Sequence, residues 1–245
     1  MRKELPFTFR RIITVFIIPI FFILISSSVW AQVGRPSKVF YVNLYSEKVD
    51  VRLGDSENYV FNAVGLDPNN VTYYSKTYDF GEYVLYFKLT SEDEWQEWTD
   101  EEGYLIQCPV KSDEIHSIII GPEGAVDYYS LTADRQNGAK VCFINGADAK
   151  LSKMEIGVEF DDNDIAYIDD FDPLGISNFV TIEPGTYSLF WQFLNQKIND
   201  DYYFYPGDIG TEYELFDFED GGYYVFLAYT FSREDFAILY EITSD

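Results

Sequence analysis

The residues best suited to catalysis lie together in the segment DEIHSIIIG, which contains the chain's single histidine, His116. A Ser–His–Asp triad would use His116 as the base, Ser117 or another serine as the nucleophile and Asp113 as the orienting carboxylate. Adjacent residues of a strand point to opposite faces of a sheet, so His116 and Ser117 cannot pair directly. The chain also has no G-x-S-x-G elbow. The segment therefore favours a histidine satisfied inside a strand over a catalytic base.

The two cysteines, Cys108 and Cys142, offer little chemistry of their own. They have no C-x-x-C spacing and only one histidine to join them, which is a poor donor set for zinc. No motif pairs either thiol with His116 for nucleophilic catalysis. In an exported protein the pair can form a disulfide, and two buried free thiols are the alternative. The sequence leaves both open.

Carboxylates form three clusters, at 159–172 (EFDDNDIAYIDDFD), 198–203 (INDDYY) and 216–222 (FDFEDGG). Loop carboxylates can bind Ca²⁺, but DDND lacks the glycine and terminal glutamate of a helix–loop–helix calcium loop. A solvated acidic face is the alternative to an irregular calcium site between strands. The pattern selects no pair for acid–base catalysis, and we predict no metal and no cofactor.

Aromatic loops are the remaining candidates for a binding site. Trp95 and Trp98 lie in SEDEWQEWTDEEG (91–103), and Tyr202, Tyr203 and Tyr205 lie in DDYYFYPGD (200–208). Aromatic side chains in polar loops can stack on sugar rings or anchor a protein partner. A long hairpin that folds its aromatics onto its own sandwich is the alternative.

The first 31 residues have the pattern of a cleavable signal peptide. A basic start with Arg2 and Lys3 precedes the apolar run IITVFIIPIFFILI, and SSSVWA ends at Ala31 with small residues at the cleavage positions. The 14-residue run, which contains Pro19, is short for a membrane span of about 20 residues. An uncleaved anchor is the alternative. We predict a periplasmic or secreted protein with no stable membrane insertion after cleavage.

The residues after Ala31 carry a formal charge of −28, from 13 basic and 41 acidic side chains. A field of this sign repels nucleic acids and anionic lipid head groups, which excludes both as expected partners. An acidic surface that keeps an exported protein soluble is the simplest interpretation of the charge.

The chain repeats three short motifs in the same order, about 100 residues apart. This period equals the length of a small sandwich domain and is far longer than a solenoid repeat. We therefore predict two repeats, 38–132 and 139–245, joined by the polar segment TADRQNG. The matched motifs are VFYVN (39–43) with VCFIN (141–145), LDP (66–68) with FDP (171–173), and GEYVLYFKL (81–89) with GTYSLFWQF (185–193).

Within each repeat, short aromatic and β-branched runs alternate with turn residues, which is typical of strands. The predicted fold is all-β: two tandem antiparallel, Ig-like β-sandwiches after the signal peptide. The first repeat has predicted strands near 39–43, 49–53, 59–64, 72–78, 83–89, 103–108, 115–120 and 126–131. The second has them near 140–144, 153–160, 165–168, 178–183, 187–193, 213–218, 222–231 and 236–242.

The pattern VFYVN, VDVRLG, LDP and DFGEYVLYF resembles a widespread exported bacterial domain of unassigned function, and GADAKLSKMEIG with IEPGTYSLFW resembles it again. Two such domains behind a signal peptide are similar in layout to the periplasmic alginate O-acetylation protein F (AlgF) family. That resemblance implies an accessory protein in polysaccharide O-acetylation, without acetyltransferase activity of its own. The matched residues, such as Asn43, Asn145, Gly81 and Gly185, imply a fold more than an activity.

The sequence thus predicts a non-catalytic accessory or adaptor in O-acetylation or export of a cell-surface polysaccharide. Its expected partners are an envelope polysaccharide or a protein of an acyltransferase complex. A secreted structural or adhesion module that binds protein partners is the alternative, and an enzyme that uses His116 or a carboxylate ranks third.

Overall fold

The computed structural model describes residues 35–54, 59–99, 102–122, 124, 126–157, 164–193, 215–231 and 234–243. These residues form eighteen β-strands and no helix. None of their segments is a helix long and apolar enough to cross a membrane. The predicted signal peptide, residues 1–31, lies outside the described residues, as do Tyr202, Tyr203 and Tyr205. The all-β prediction is confirmed for the part of the chain that is described.

The described residues of the first half form ten strands in two sheets. Sheet A has the order β10-β9-β1-β4, with β5 also on β1, and sheet B has the order β3-β2-β6-β7, with β8 also on β6. The strands are β1 (Ser37–Asn43), β2 (Val49–Gly54), β3 (Tyr59–Leu66), β4 (Asn70–Val71), β5 (Ser75–Thr77), β6 (Gly81–Leu89), β7 (Gln96–Glu97), β8 (Gln107–Val110), β9 (Ile115–Ile120) and β10 (Val126–Leu131).

The described residues of the second half form eight strands, again in two sheets. Sheet C has the order β14-β11-β17-β18, and sheet D has the order β13-β12-β15-β16. With β11 in the place of β1 and β17 in the place of β9, sheet C has the strand order of sheet A read from the other end. Sheet D has the strand order of sheet B, with β12 in the place of β2 and β15 in the place of β6. The strands are β11 (Ala139–Asn145), β12 (Leu151–Gly157), β13 (Asp164–Phe171), β14 (Val180–Ile182), β15 (Gly185–Phe193), β16 (Phe216–Phe218), β17 (Tyr223–Phe231) and β18 (Glu234–Glu241).

Sheets A and C are mixed, which corrects the prediction of purely antiparallel sheets. Strand β1 runs parallel to β9, and β11 runs parallel to β17. Between the two members of each pair the chain crosses to the other sheet and returns, so no hairpin imposes an antiparallel direction. All other strand pairs described are antiparallel.

The core consists of three apolar clusters, and one of them lies between the halves. The cluster of the first half fills the space between sheets A and B, and that of the second half fills the space between sheets C and D. The third, which we call the junction cluster, joins sheets A and C and includes Phe40, Val42, Ile144 and Leu227. Sheets A and C therefore bury both faces, and this explains why β9 (IHSIII) and β11 (AKVCFIN) are buried at every position.

Contacts across the junction are aromatic and backbone-mediated. Phe40 meets Phe179 edge-on with ring centroids 6.3 Å apart, and Tyr74 meets Tyr223 at 5.5 Å. The Tyr74 amide donates to the Ile242 carbonyl at 2.9 Å. The four sheets therefore pack as a continuous stack with sheets A and C in the middle.

A buried asparagine closes the first strand of each half in the same way. The Asn43 side-chain amide donates to the carbonyls of Glu47 and Leu66, each at 2.9 Å, and its oxygen accepts the Tyr45 amide. Asn145 does the same two and four residues ahead, at Ala147 and Ala149, and also donates to the carbonyls of Phe171 and Asp172. The matched LDP and FDP motifs thus supply backbone acceptors to the matched asparagines.

Candidate functional site

His116 is locked inside the first half and does not face solvent. It is fully buried, stacks on Tyr128 and lies with Nδ1 2.7 Å from the Tyr128 hydroxyl. That hydroxyl donates to the Pro109 carbonyl at 2.6 Å, and the Lys111 amide donates to Nε2. The consistent arrangement is a neutral ring with its proton on Nδ1, donated to the Tyr128 oxygen. Burial lowers the pKa of His116, which favours the same neutral form.

The residues considered for a triad lie apart. Ser117 is buried on the opposite face of β9 from His116, and its hydroxyl has no hydrogen-bond partner among the described residues. The Asp113 carboxylate instead contacts Arg135 at 2.7 Å and Arg35 at 3.8 Å. His116 therefore has neither this nucleophile nor this carboxylate as a neighbour.

Both cysteines are free thiols, so the disulfide considered from the sequence is not formed in the structure. Cys108 belongs to the core of the first half, and Cys142 belongs to the junction cluster on the other side of sheet A. Burial raises the pKa of each thiol to about 12. A thiol with so high a pKa is a poor nucleophile, because the thiolate is the reactive form.

No group of three or more His, Cys, Asp or Glu side chains within the described residues is placed to hold a metal ion. Residues 159–163 of the 159–172 cluster and all of the 198–203 cluster lie outside those residues. In the visible part, Asp170 and Asp172 contact the Lys150 ammonium at 3.4 and 3.6 Å.

Trp95 and Trp98 differ in their surroundings. Trp98 packs against the core of the first half, and its amide donates to the Leu85 carbonyl at 2.9 Å. Trp95 lies on the outer face of sheet B and remains partly exposed. The Arg52 guanidinium lies 4.4 Å from the Trp95 ring centroid, and the Lys88 ammonium lies 5.6 Å from it.

We call this group, Arg52, Tyr86, Lys88 and Trp95, the Trp95 platform. Arg52 and Tyr86 are cross-strand partners, with the guanidinium 4.8 Å from the Tyr86 ring centroid. Lys88 is held at 3.5 Å by the buried Asp50 carboxylate. Hydrogen bonds from Thr90 and Gly65 and the charge of Lys88 outweigh burial and lower the pKa of Asp50. The platform is thus an indole braced by two fixed cations on a pleated surface.

A second candidate is a cleft where the linker 132–138 meets the starts of β1, β9, β11 and β17. Its volume is about 530 Å³, within the usual range of small-molecule pockets. We call it the junction cleft. Its basic side chains are Arg35, Lys38, Arg135 and Lys140, and its carboxylates are Asp113, Glu114, Asp134 and Asp220. The ionisable groups of the cleft are thus balanced in a chain whose net charge is −25.

The two lysines of the junction cleft occupy the same position in the two halves, at Lys38 of β1 and Lys140 of β11. Lys140 is buried, and its ammonium donates to the Asp134 carboxylate, the Gln136 carbonyl and the Thr181 hydroxyl. Those three bonds use all three of its protons. Lys140 therefore fastens the linker to sheet C.

Lys38 is held differently. Its ammonium donates to the Tyr223 hydroxyl at 3.3 Å and lies over the rings of Tyr223 and Tyr74, 4.6 and 5.5 Å from their centroids. Within the described residues no carboxylate lies within ion-pair distance of it. Burial lowers the pKa of Lys38, since no ion pair offsets the loss of water.

The carboxylates of the cleft are already engaged. Asp134 accepts from the Thr181 hydroxyl and from Lys140, and these hydrogen bonds lower its pKa. Asp220 accepts the Gly138 amide at 2.7 Å, and Glu114 accepts the Ser130 hydroxyl at 2.8 Å.

Sequence reasoning missed the junction cleft, because it treated 132–138 as a linker and Lys38 only as the first residue of the repeat 38–132. One signal was present: KVFYVN and KVCFIN both begin with lysine at matched positions. The structure shows that those positions converge on one cavity. The predicted contacts Trp95 and Trp98 are neighbours along one hairpin, but only Trp95 belongs to the platform.

No protein-family model matches the chain, and no curated protein matches it significantly. The resemblance to the alginate O-acetylation protein F family therefore stays a prediction from the quoted motifs.

Proposed function

We propose that the chain is an exported, non-catalytic accessory protein in O-acetylation or export of a cell-surface polysaccharide. In this proposal two tandem Ig-like sandwich repeats follow a cleaved signal peptide. The first repeat holds glycan on the Trp95 platform, and the protein delivers it to an acyltransferase complex in the periplasm.

The observation that carries the proposal is the Trp95 platform. An indole that stays partly exposed, with the Arg52 and Lys88 cations over its ring, offers apolar surface for a sugar ring and donors for its hydroxyls. Arg52, Tyr86 and Lys88 belong to the paired strands β2 and β6 and not to a loop, so the side chains around Trp95 are pre-organised for binding. The motifs quoted above support the polysaccharide context.

The test is a tryptophan fluorescence titration of the purified protein with acetylated and de-acetylated envelope polysaccharide. We expect a saturable change that is lost in Trp95→Ala. Trp191→Phe is the matched control, because Trp191 is buried in the core of the second half. Absence of a saturable change, or an unaltered response in folded Trp95→Ala, would contradict glycan binding at the platform.

A second candidate, a structural or adhesion module that binds proteins, is favoured by one observation. Tyr73, Tyr78 and Phe80 lie within eight residues of one another in the first half and are 68%, 59% and 40% exposed. Exposed aromatic groups of this kind are typical of protein contacts. If Tyr73→Ser with Tyr78→Ser abolished retention of an envelope protein while Trp95→Ala had no effect, the second candidate would replace the first.

A further inference from the structure

Among the cations that line the junction cleft, Lys38 is the one without a carboxylate partner in the described part of the chain. The other three cations that line the cleft each contact Asp113 or Asp134. Lys38 contacts one phenol oxygen and two aromatic rings. An ammonium carries three protons, so Lys38 has two that no group in the described part of the chain accepts and that can be donated to a ligand in the cleft.

The ionic balance of the junction cleft indicates what would complete it. Its four cations and four carboxylates cancel: Arg35 and Arg135 share the Asp113 carboxylate, and Lys140 pairs with Asp134. One negative charge would pair with Lys38. A second would face Asp113, Glu114, Asp134 and Asp220 without a free cation to offset it. The cleft therefore favours a monoanion over a dianion.

The uncharged polar side chains that line the cleft indicate which other groups the ligand carries. Thr132, Gln136 and Asn137 contribute hydroxyl and amide groups, which can exchange hydrogen bonds with ligand hydroxyls. Tyr223 accepts from Lys38 and keeps its own O–H as a donor, and burial raises its pKa, so it stays protonated. A ligand with several hydroxyls and one carboxylate satisfies these groups together.

We propose that the junction cleft binds a small, polyhydroxylated carboxylic acid, with its carboxylate on Lys38 and the Tyr223 hydroxyl. The site is separate from the Trp95 platform, so it does not depend on the polysaccharide proposal. Lys38 is the specificity-determining residue, because it supplies the positive charge that is not already paired within the described cleft. The matched Lys140 fixes the linker that forms the opposite wall.

The test uses three ligands with the same six-carbon chain: D-glucitol (neutral), D-gluconate (one carboxylate) and D-glucarate (two carboxylates). Calorimetric titration of the purified protein should show the tightest binding for gluconate. Lys38→Met should weaken gluconate binding at least tenfold, as expected for loss of a charge-assisted hydrogen bond. Lys76→Met is the matched control, since Lys76 also lies over the Tyr74 ring, at 5.4 Å, but does not line the cleft.

Several outcomes would overturn the proposal. These are no gluconate binding, equal binding of glucitol and gluconate, or unchanged binding in folded Lys38→Met. Tighter binding of glucarate would refute the assignment of a single charge. Trp95→Ala should leave gluconate binding unchanged, so failure at the platform and failure at the cleft can be told apart.

Discussion

The two halves share a strand order but use matched positions differently. Asn43 and Asn145 make the same turn. Lys38, in contrast, faces an open cleft, whereas Lys140 donates its hydrogen bonds to the linker and to Thr181. His116 of β9 is matched by Tyr224 of β17. The matched asparagines keep both their residue and their contacts, the matched lysines keep their residue but not their contacts, and the position of His116 changes its residue. The same strand order thus carries different surfaces in the two halves.

The largest expected effect tests whether the halves fold as one unit. Phe40→Ala removes a fully buried ring from the junction cluster, and we expect a loss of about 3–5 kcal/mol in the free energy of unfolding. Because the cluster joins sheets A and C, both halves should unfold together at lower denaturant. In a Trp95→Phe/Trp98→Phe background, Trp191 fluorescence reports the unfolding of the second half. In a Trp191→Phe background, Trp95 and Trp98 report the unfolding of the first half.

The control for this prediction is Phe80→Ala, the same change at a side chain that is 40% exposed. It should cost far less than Phe40→Ala. Two separate transitions, with only the first half shifted by Phe40→Ala, would show that the junction cluster does not couple the halves.

The matched asparagines should give the next largest effect. Asn43→Ala and Asn145→Ala each remove the side-chain donor to one buried carbonyl, that of Leu66 or Phe171, together with further part-buried hydrogen bonds, so we expect a loss of roughly 3 kcal/mol for each. Asn145 donates to one more carbonyl than Asn43 and should cost more. Denaturant unfolding measures both. Asn62→Ala, at an exposed site on β3, is the control, and a cost for Asn43→Ala no greater than for Asn62→Ala would refute the anchoring role.

The positions of the strands were largely predictable from the alternation of aromatic and β-branched runs with turn residues. The expected strands at 115–120 and 126–131 coincide with β9 and β10, and that at 83–89 lies within β6. The expected strand at 72–78 was wrong as a single element: two short strands, β4 and β5, both pair with β1. Tyr74 lies between them and enters the junction cluster, a long-range contact that local propensity does not register.

The junction cleft was less predictable, because it depends on how sheet A meets sheet C. The uninterrupted apolar run in IHSIII is consistent with a strand buried on both faces, but it does not identify the partner sheet. The parallel pairing of β1 with β9 links residues more than 70 positions apart, and no turn between them sets the register. Lys38 and Asp113 therefore belong to one cavity for reasons that no local motif contains.

A smaller effect distinguishes the matched lysines. Lys140→Met removes three part-buried hydrogen bonds of a buried lysine, so we expect a loss of about 2 kcal/mol in the free energy of unfolding. Lys38→Met should change it by less than about 0.5 kcal/mol, because the methionine keeps the apolar contacts with the rings of Tyr74 and Tyr223. Thermal and denaturant unfolding compare the pair. Equal losses would mean that Lys38 also has a structural role.

The smallest expected effect is the pH dependence of the free energy of unfolding that His116 contributes, at the position that Tyr224 occupies in the second half. Burial lowers the pKa of His116 below its ordinary value of 6.5, whereas in the unfolded chain that value is restored. Between the two pKa values the unfolded state binds the proton and the folded state does not, so stability falls as pH falls below about 6.5. Above that pH the contribution is fully present and constant. The slope for one proton is at most about 1.4 kcal/mol per pH unit.

His116→Gln keeps a donor and an acceptor but cannot titrate, so it should remove this slope. The measurement is the free energy of unfolding of wild type and His116→Gln at pH values from 7.5 to 5.0. The difference between the two curves isolates His116 from the carboxylates, which are common to both proteins. Parallel curves over that range would mean that His116 has the same pKa in both states. In that case protonation would have to be accommodated beside Tyr128 and Lys111, whose hydrogen bonds now favour the neutral ring.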